Sequence, residues 1–153
     1  MSKQHIVAQN RKAYHDYFIE DKIEAGMILV GSEVKSLRSG KASLLDAYAS
    51  FDNDYMVLFN AHIPEYKASN QFNHEPLRPR RLLLRKRQFN KLIGSIQRQG
   101  MTLIPLSIYF NDRGIAKVEL GLAKGKRQID KRNTEKERDW NRQKAAIMKR
   151  AKE

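Results

Sequence analysis

The residues best able to do chemistry here are basic, and they come in sets. Arg78 to Lys91 holds seven Lys/Arg and no acid: Arg78, Arg80, Arg81, Arg85, Lys86, Arg87 and Lys91. Leu82, Leu83 and Leu84 interrupt the run. Side chains alternate along an extended chain, so Leu82 and Leu84 are expected to point into a core while Arg81, Leu83 and Arg85 face outward. The product is a basic strip with one exposed apolar residue, suited to phosphates together with a base or ribose surface. A solvated strand edge guarded by charge would give the same pattern. A second set is Lys35, Arg38 and Lys41, the first two spaced to share a helical face. A third is Arg11 and Lys12. Three such sets in one small domain point to an extended RNA or DNA footprint.

No equally pointed signal for catalysis exists. The histidines are His5, His15, His62 and His74, and no two have a His-x-x-x-His spacing. With no cysteine in the chain, a thiolate zinc site, a disulfide scaffold and a cysteine nucleophile are excluded. Gly121-Leu-Ala-Lys-Gly125-Lys126 faintly resembles a phosphate loop, but it is one residue short and Arg127 stands where a Ser or Thr should bind magnesium. Asp52 and Asp54 read as turn residues, and Glu135 and Glu137 lie in a charged, solvated stretch. No catalytic residue, metal or cofactor is therefore expected, and a metal-dependent nuclease is the enzyme reading left to test.

The elements that must carry the basic sets are bounded by size and charge. The chain has 153 residues, enough for one domain with a core. Lys and Arg outnumber Asp and Glu 30 to 17, a net charge of +13, which favours a polyanionic partner. The longest run of large apolar residues is Met27-Ile28-Leu29-Val30, against the ~20 residues a membrane helix needs. No apolar stretch resembling a secretory signal occurs in the first sixteen residues. A cytoplasmic protein in a reducing compartment is expected. Residues 124–153 hold twelve Lys/Arg and five Asp/Glu, a net of +7, with Ile129, Trp140, Ile147 and Met148 as their large apolar residues. Such a stretch cannot offset the entropy of ordering itself. Residues 1–123 are read as the folded body and 124–153 as a basic tail.

In the body, Tyr17 to Leu29 reads as a strand or hairpin region with Phe18, Ile19, Ile23, Ile28 and Leu29 as core candidates. Glu33 to Arg38 reads as a helical turn with Ser32 as N-cap and Ser39-Gly40 as its stop. Strands are expected at Ala47–Phe51 and Tyr55–Ile63 around an Asp52-Asn53-Asp54 turn, then a long loop over 65–79. Phe89, Leu92, Ile93 and Ile96 mark one face of a helix that Gly100 ends. Leu103–Phe110 and Ile115–Leu122 form a last hairpin, its second strand alternating Ala116, Val118, Leu120 and Leu122 with Lys117, Glu119 and Gly121. Pro105 predicts a strand that starts on an edge or after a kink. About six strands with two short helices and no βαβ rhythm predict a small closed antiparallel barrel, mainly β, with the five-stranded oligonucleotide-binding (OB) barrel leading. The alternative is a two-layer α+β sandwich.

In the tail, Thr134 and Glu137 have capping-box spacing, and no Gly or Pro interrupts 135–152. Trp140 and Ile147 share a face with Lys144 between them, and Met148 broadens the stripe. One such stripe cannot hold a lone helix firmly. The tail is expected to be disordered when free and helical at about 135–152 when it meets a polyanion with a site for Trp140.

The chain closely resembles the small protein B family, the SsrA-RNA-binding proteins of bacterial trans-translation. The likeness is carried by Asn10-Arg11-Lys12-Ala13, Tyr17-Phe18-Ile19-Glu20, Glu24-Ala25-Gly26 and the run from Gly31 to Ala42. It continues through Arg81-Leu82-Leu83-Leu84, Gly121 to Lys126, Asp130-Lys131-Arg132 and Arg138-Asp139-Trp140. The resemblance implies an OB-type barrel that grips the tRNA-like domain of transfer-messenger RNA and delivers it to stalled ribosomes. It implies a tail that enters the vacant mRNA channel and meets small-subunit rRNA at the decoding centre. It implies no chemistry by the protein and no membrane, with one monomer per RNA. RNA-facing positions of the family match Asn10, Glu24, Leu83, Lys124, Gly125 and the run Glu33 to Arg38, which includes Lys35 and Ser36. Glu24 can accept from base amino groups or a 2′-hydroxyl, or serve in a salt bridge to a nearby cation. Asp130, Lys131 and Arg132 match the decoding-centre motif, and Trp140, Ile147 and Met148 match the tail helix. Ile129 stands where many members carry His or an aromatic residue, and Arg85 replaces a smaller polar one. A structural ribosomal protein with a basic extension is the competing binding class.

Overall fold

The computed structural model describes residues 5–67, 73–125 and 136–144. Seven strands and three helices build the body in the order β1 (His5–Gln9), α1 (Arg11–Asp16), β2 (Tyr17–Met27), α2 (Gly31–Arg38), β3 (Tyr48–Asp52), β4 (Tyr55–Phe59), β5 (Arg80–Leu83), α3 (Lys86–Gln99), β6 (Thr102–Phe110) and β7 (Ala116–Gly125). Every pairing is antiparallel, in the order β1-β6-β3-β4-β5-β2-β7, and β7 pairs back onto β6. Six strands thus close a barrel and β1 adds to the outside of β6. Closure removes exposed edges from a small sheet. The antiparallel barrel is as read from the sequence, with one strand more in the ring than the five expected.

Local differences have local causes. β1 and α1 carry no long periodic pattern and were not foreseen. α1 is only six residues, held because the Asn10 side-chain oxygen accepts from the Ala13 N–H at 3.3 Å. α2 begins at Gly31 with Val30 at the N-cap, not Ser32; Glu33 reaches back to accept from the Val30 N–H at 2.9 Å. Its stop is as expected, with Gly40 at φ +79. β4 ends at Phe59 rather than Ile63, because Asn60 takes φ +60 and breaks the extended run. β2 is one continuous strand, and Phe18 and Ile28 are 49% and 47% exposed rather than core. α3 and the β6–β7 hairpin match their patterns, with Gly100 in the left-handed region at φ +62.

Two apolar compartments result. The barrel interior holds Ala25, Leu37, Met56, Leu58, Leu82, Leu92, Leu103, Ile108, Val118, Leu120 and Leu122, with Phe89 and Ile96 of α3 packed against it. A second cluster of Ala13, Ile104, Leu106 and Ala123, with Tyr17 and Ile19 beside it, lies under α1. β6 serves both because a register shift between Pro105 and Ser107 resets its alternation. Pro105 therefore marks a bulge inside the strand rather than its start, where the outer neighbour of β6 passes from β3 (at Leu103) to β1 (at Ser107).

β7 runs through Lys124 and Gly125, opposite Phe18 and Tyr17. The barrel therefore continues past residue 123, and Gly121 to Gly125 of the faint phosphate loop are strand. Residues 136–144 are helical, inside the expected 135–152 span. Asp139 and Arg142 pair there at 3.0 Å and Trp140 is 63% exposed. Thr134, Asp130, Lys131, Arg132, Ile147 and Met148 lie outside the described residues.

Candidate nucleic-acid interface

Strand register assembles the candidate surface. Tyr109 of β6 lies opposite Lys117 of β7, Lys117 opposite Gly26 of β2, and Gly26 opposite Leu83 of β5. One row thus crosses four strands. Its inward neighbours (Ala25, Leu82, Val118 and Ile108) are core residues, so the row stands on the outside of the barrel. Leu83 is 58% exposed. A Cβ at Gly26 would lie 3.3 Å from the Leu83 Cβ and 3.7 Å from the Lys117 Nζ. Glycine is what lets a flat stretch of backbone sit between an apolar knob and an ammonium group.

The next row along holds Glu24 opposite Glu119 and Glu119 opposite Ser107. Two carboxylates directly opposite repel, and the groups around them answer that charge. The Tyr109 hydroxyl donates to Glu24 Oε2. Burial and then these carboxylates push the Tyr109 phenol well above its usual range, so it stays a donor. Lys22 is held above its ordinary value by Tyr14 first and Glu119 second, and its ammonium sits 5.4 Å from the Tyr14 ring centroid. Of the two readings open for Glu24, the observed partner is a tyrosine rather than a cation. The remaining Glu24 oxygen is left to accept from an incoming donor.

The basic sets divide sharply by burial. Arg81 is exposed and lies over Tyr55, its guanidinium carbon 4.3 Å from the ring centroid. Arg85 is exposed at the N-cap of α3. Arg80, one residue from Arg81, is fully buried and leaves the basic strip. Its Nε donates to Glu33 Oε2 at 2.5 Å and its Nη1 to the Ala61 carbonyl at 2.5 Å. Its Nη2 donates to the Pro76 carbonyl at 3.1 Å. Arg78 donates to the other Glu33 oxygen at 2.5 Å. Burial pushes the Glu33 carboxyl up, but hydrogen bonds from Arg78, the Val30 N–H and Arg80 outweigh it and hold the group below its ordinary value. Burial lowers Arg80 in turn, and Glu33 offsets part of that.

Glu33 and Ser36, expected at the RNA, are 0% and 2% exposed and offer no surface. Their work is to hold α2, whose outer face carries exposed Lys35, Arg38 and Lys41 nearby; the Lys35 ammonium lies 5.9 Å from the Tyr66 ring. Ser32 and His74 do the same from the helix start. The two are 2.8 Å apart, and the other His74 nitrogen donates to the Ile63 carbonyl at 2.8 Å. The ring thus bridges the Ser32 hydroxyl and the Ile63 carbonyl through its two nitrogens. Asn10 is 8% exposed, and besides capping α1 its Nδ2 donates to the Pro105 carbonyl at 3.1 Å. It therefore positions exposed Arg11 and Lys12. Lys124 and Gly125 are exposed, but alternation gives Lys124 the parity of Leu122, opposite to that of Lys117. Lys124 therefore stands apart from the Lys117 row.

Lys117, Tyr109 and Gly26 were not singled out from sequence. Lys117 sits on the polar side of the alternating β7 pattern, but only the strand register puts it beside Gly26 and Leu83. Among the described residues, no group of three or more His, Asp or Glu is placed to hold a metal ion. None of their helices is long and apolar enough to cross a membrane.

A closed antiparallel barrel whose outer face mixes cations, a carboxylate pair and an exposed leucine defines a basic β-barrel of the binding class. The chain belongs to the SmpB protein family, whose model matches residues 7–150. An SsrA-binding protein from Agrobacterium fabrum is 59% identical over 144 residues, covering 94% of this chain and 90% of that protein. One from Caulobacter vibrioides is 57% identical over 143 residues, covering 94% of each. A chain in the solved structure described as "tmRNA-SmpB: a journey to the center of the bacterial ribosome" is 43% identical, with a TM-score of 0.65 over 86% of this chain and 92% of that one.

Proposed function

We propose that this protein binds the tRNA-like domain of transfer-messenger RNA and delivers it to stalled ribosomes, acting in the cytoplasm as a non-enzymatic adaptor. The likeness to SsrA-binding proteins along nearly the whole chain carries this reading. The row Lys117, Gly26 and Leu83, with Glu24 beside it, supports a barrel face that reads RNA. Lys117 and Arg81 attract phosphate, Leu83 packs on a ribose or base, and Glu24 accepts from a base amino group or a 2′-hydroxyl. Arg11 and Lys12 on α1, Lys35, Arg38 and Lys41 around α2, Arg85, and Lys124 with Gly125 extend the footprint. Glu33, Ser36 and Asn10 act through the elements they hold. The tail forms a second unit. Asp130, Lys131 and Arg132 meet the decoding centre, and Trp140, Lys144, Ile147 and Met148 form the helix face that lies in the empty mRNA channel.

A competition gel shift tests it. The full chain is titrated against the tRNA-like domain with excess ordinary tRNA at two salt concentrations. Selective binding that survives the competitor and weakens with salt is the expected result. Equal binding to both RNAs would reduce the basic sets to a general electrostatic surface and favour a structural ribosomal protein.

A further inference from the structure

The row of outward residues does not end at Leu83. Met56 of β4 lies opposite Leu82, and Val57 opposite Arg81. One step further along that antiparallel ladder brings Tyr55 opposite Leu83. Tyr55 therefore extends the row through Lys117, Gly26 and Leu83 onto a fifth strand. The ring is 48% exposed, and the Arg81 guanidinium lies over it at 4.3 Å. Beside it opens a cleft with Leu83 and Phe89 on its apolar wall and Asp54, Lys86 and Asn90 among its polar lining.

From this arrangement we propose that Tyr55 and Arg81 form a stacking platform for one unpaired nucleobase of the bound RNA. The chemistry fits that class of ligand. A guanidinium held over a phenol ring offers a delocalised group and a positive charge, and bases stack on both arginine and tyrosine whatever their sequence. The cleft beside the platform accepts an apolar disc against Leu83 and Phe89. Asn90 and Asp54 line the cleft and bring an amide and a carboxylate able to partner a base edge, and Lys86 brings charge for the adjoining phosphate. An isolated cation–π pair on a surface would explain the contact between the two side chains. It would not explain a cleft continuous with the leucine of the binding row. The inference rests on the RNA reading of that row and extends it by one subsite.

The test is equilibrium binding of the full chain to a transcript of the tRNA-like domain at several salt concentrations. Variants are Tyr55→Ala, Tyr55→Phe, Arg81→Gln and Leu83→Glu, each checked for an unchanged thermal unfolding midpoint. Tyr55→Ala is expected to weaken binding about tenfold with the salt slope unchanged, because the ring is uncharged, while Tyr55→Phe stays within about twofold. Arg81→Gln is expected to weaken binding and to flatten the slope by about one. Equal losses from Tyr55→Ala and Tyr55→Phe would assign the effect to the hydroxyl and overturn the platform. Wild-type RNA affinity for Tyr55→Ala beside a clear loss for Leu83→Glu would overturn the platform and leave the row standing. Wild-type affinity in both would overturn the row itself. A Tyr55→Ala defect confined to ribosome association would overturn the platform in favour of a ribosomal partner.

Discussion

The Arg80 guanidinium donates to the Glu33 carboxylate at 2.5 Å, and neither side chain is exposed. Glu33 sits in the first turn of α2 and Arg80 at the start of β5. The pair therefore ties the helix carrying Lys35 and Arg38 to the strand carrying Arg81 and Leu83. Two parts of the proposed footprint are fixed relative to each other by a charge pair that touches no RNA. Removing one partner of such a pair leaves the other charge buried, which costs about 3–5 kcal/mol. Arg80→Met is expected to lose stability on that scale at neutral pH, read as a lower urea midpoint. A midpoint within error of the wild type would show that the pair is not what holds the two elements together.

The same pair sets an acid limb. The Glu33 carboxyl is held below its ordinary value of 4.5. Its contribution to stability is therefore complete above about 4.5 and drains away as pH falls through the folded-state value. Glu33→Gln is expected to be less stable than the wild type at neutral pH, with a shallower fall in stability below pH 4.5. Urea titrations at pH 7 and at several points below 4.5 check this. Parallel acid limbs in the two proteins would assign the acid loss to other carboxylates.

Two glycines in neighbouring strands should respond differently to alanine. A Cβ at Gly121 would lie 3.0 to 3.2 Å from Leu106 side-chain atoms, and Leu106 is only 2% exposed. With nowhere to move, Gly121→Ala is expected to cost about 1–3 kcal/mol. At Gly26 the new methyl would stand 3.3 Å from the Leu83 Cβ, a contact that the two strands relieve by parting a few tenths of an ångström at an exposed site, so the expected loss is chiefly in RNA affinity, about tenfold, with a smaller cost in stability than at Gly121. Unfolding midpoints and binding curves for both variants separate the two effects. A fold defect for Gly26→Ala as large as that of Gly121→Ala would contradict the distinction.

Tyr109 is the donor that answers the Glu24–Glu119 repulsion. Tyr109→Phe keeps the ring in place and removes the hydroxyl. It is expected to leave the fold intact and weaken RNA binding about fivefold, the value of roughly one hydrogen bond. Glu24→Gln combined with Tyr109→Phe should then lose little more than Glu24→Gln alone, because both act on one contact. Additive losses would place the two residues at separate contacts.

What the sequence disclosed depended on periodicity. α3 and the β6–β7 hairpin were legible because Phe89, Leu92 and Ile96, or Val118, Leu120 and Leu122, repeat at a fixed period with one buried side. α1 was not, since a six-residue helix held by one asparagine cap has no period to read. Arg80 and Arg81 are adjacent and identical in type, yet one is a core residue and the other a surface one. Alternation assigned Leu82 and Leu84 correctly to the inner side, and Arg80, read only as one of the basic run, shares their parity. It gave no reason to expect a charge there, because its partner Glu33 comes from 47 residues earlier in the chain. The Lys117–Gly26–Leu83 row was equally hidden, since it exists only through the register of three strands. The resemblance, not the pattern, brought Glu24 and Leu83 forward.

The boundary between barrel and tail carries a last prediction. Lys124 and Gly125 pair with Phe18 and Tyr17 at the end of β7. Truncation after Ala123 therefore removes both a proposed RNA contact and the last ladder residues, whereas truncation after Gly125 leaves the barrel whole. The shorter form is expected to unfold at lower temperature and bind the tRNA-like domain more weakly. The form ending at Gly125 should keep most of its RNA affinity and lose peptide tagging on stalled ribosomes. Trp140→Ala in the full chain should weaken tagging while RNA affinity stays within about threefold, because an aromatic anchor acts mainly at its own docking site. Binding curves and a tagging assay on the same preparations check all three. An equal loss of RNA affinity in both truncations would remove the division of labour between barrel and tail. A large affinity loss for Trp140→Ala would place that residue on the transfer-messenger RNA instead of the ribosome.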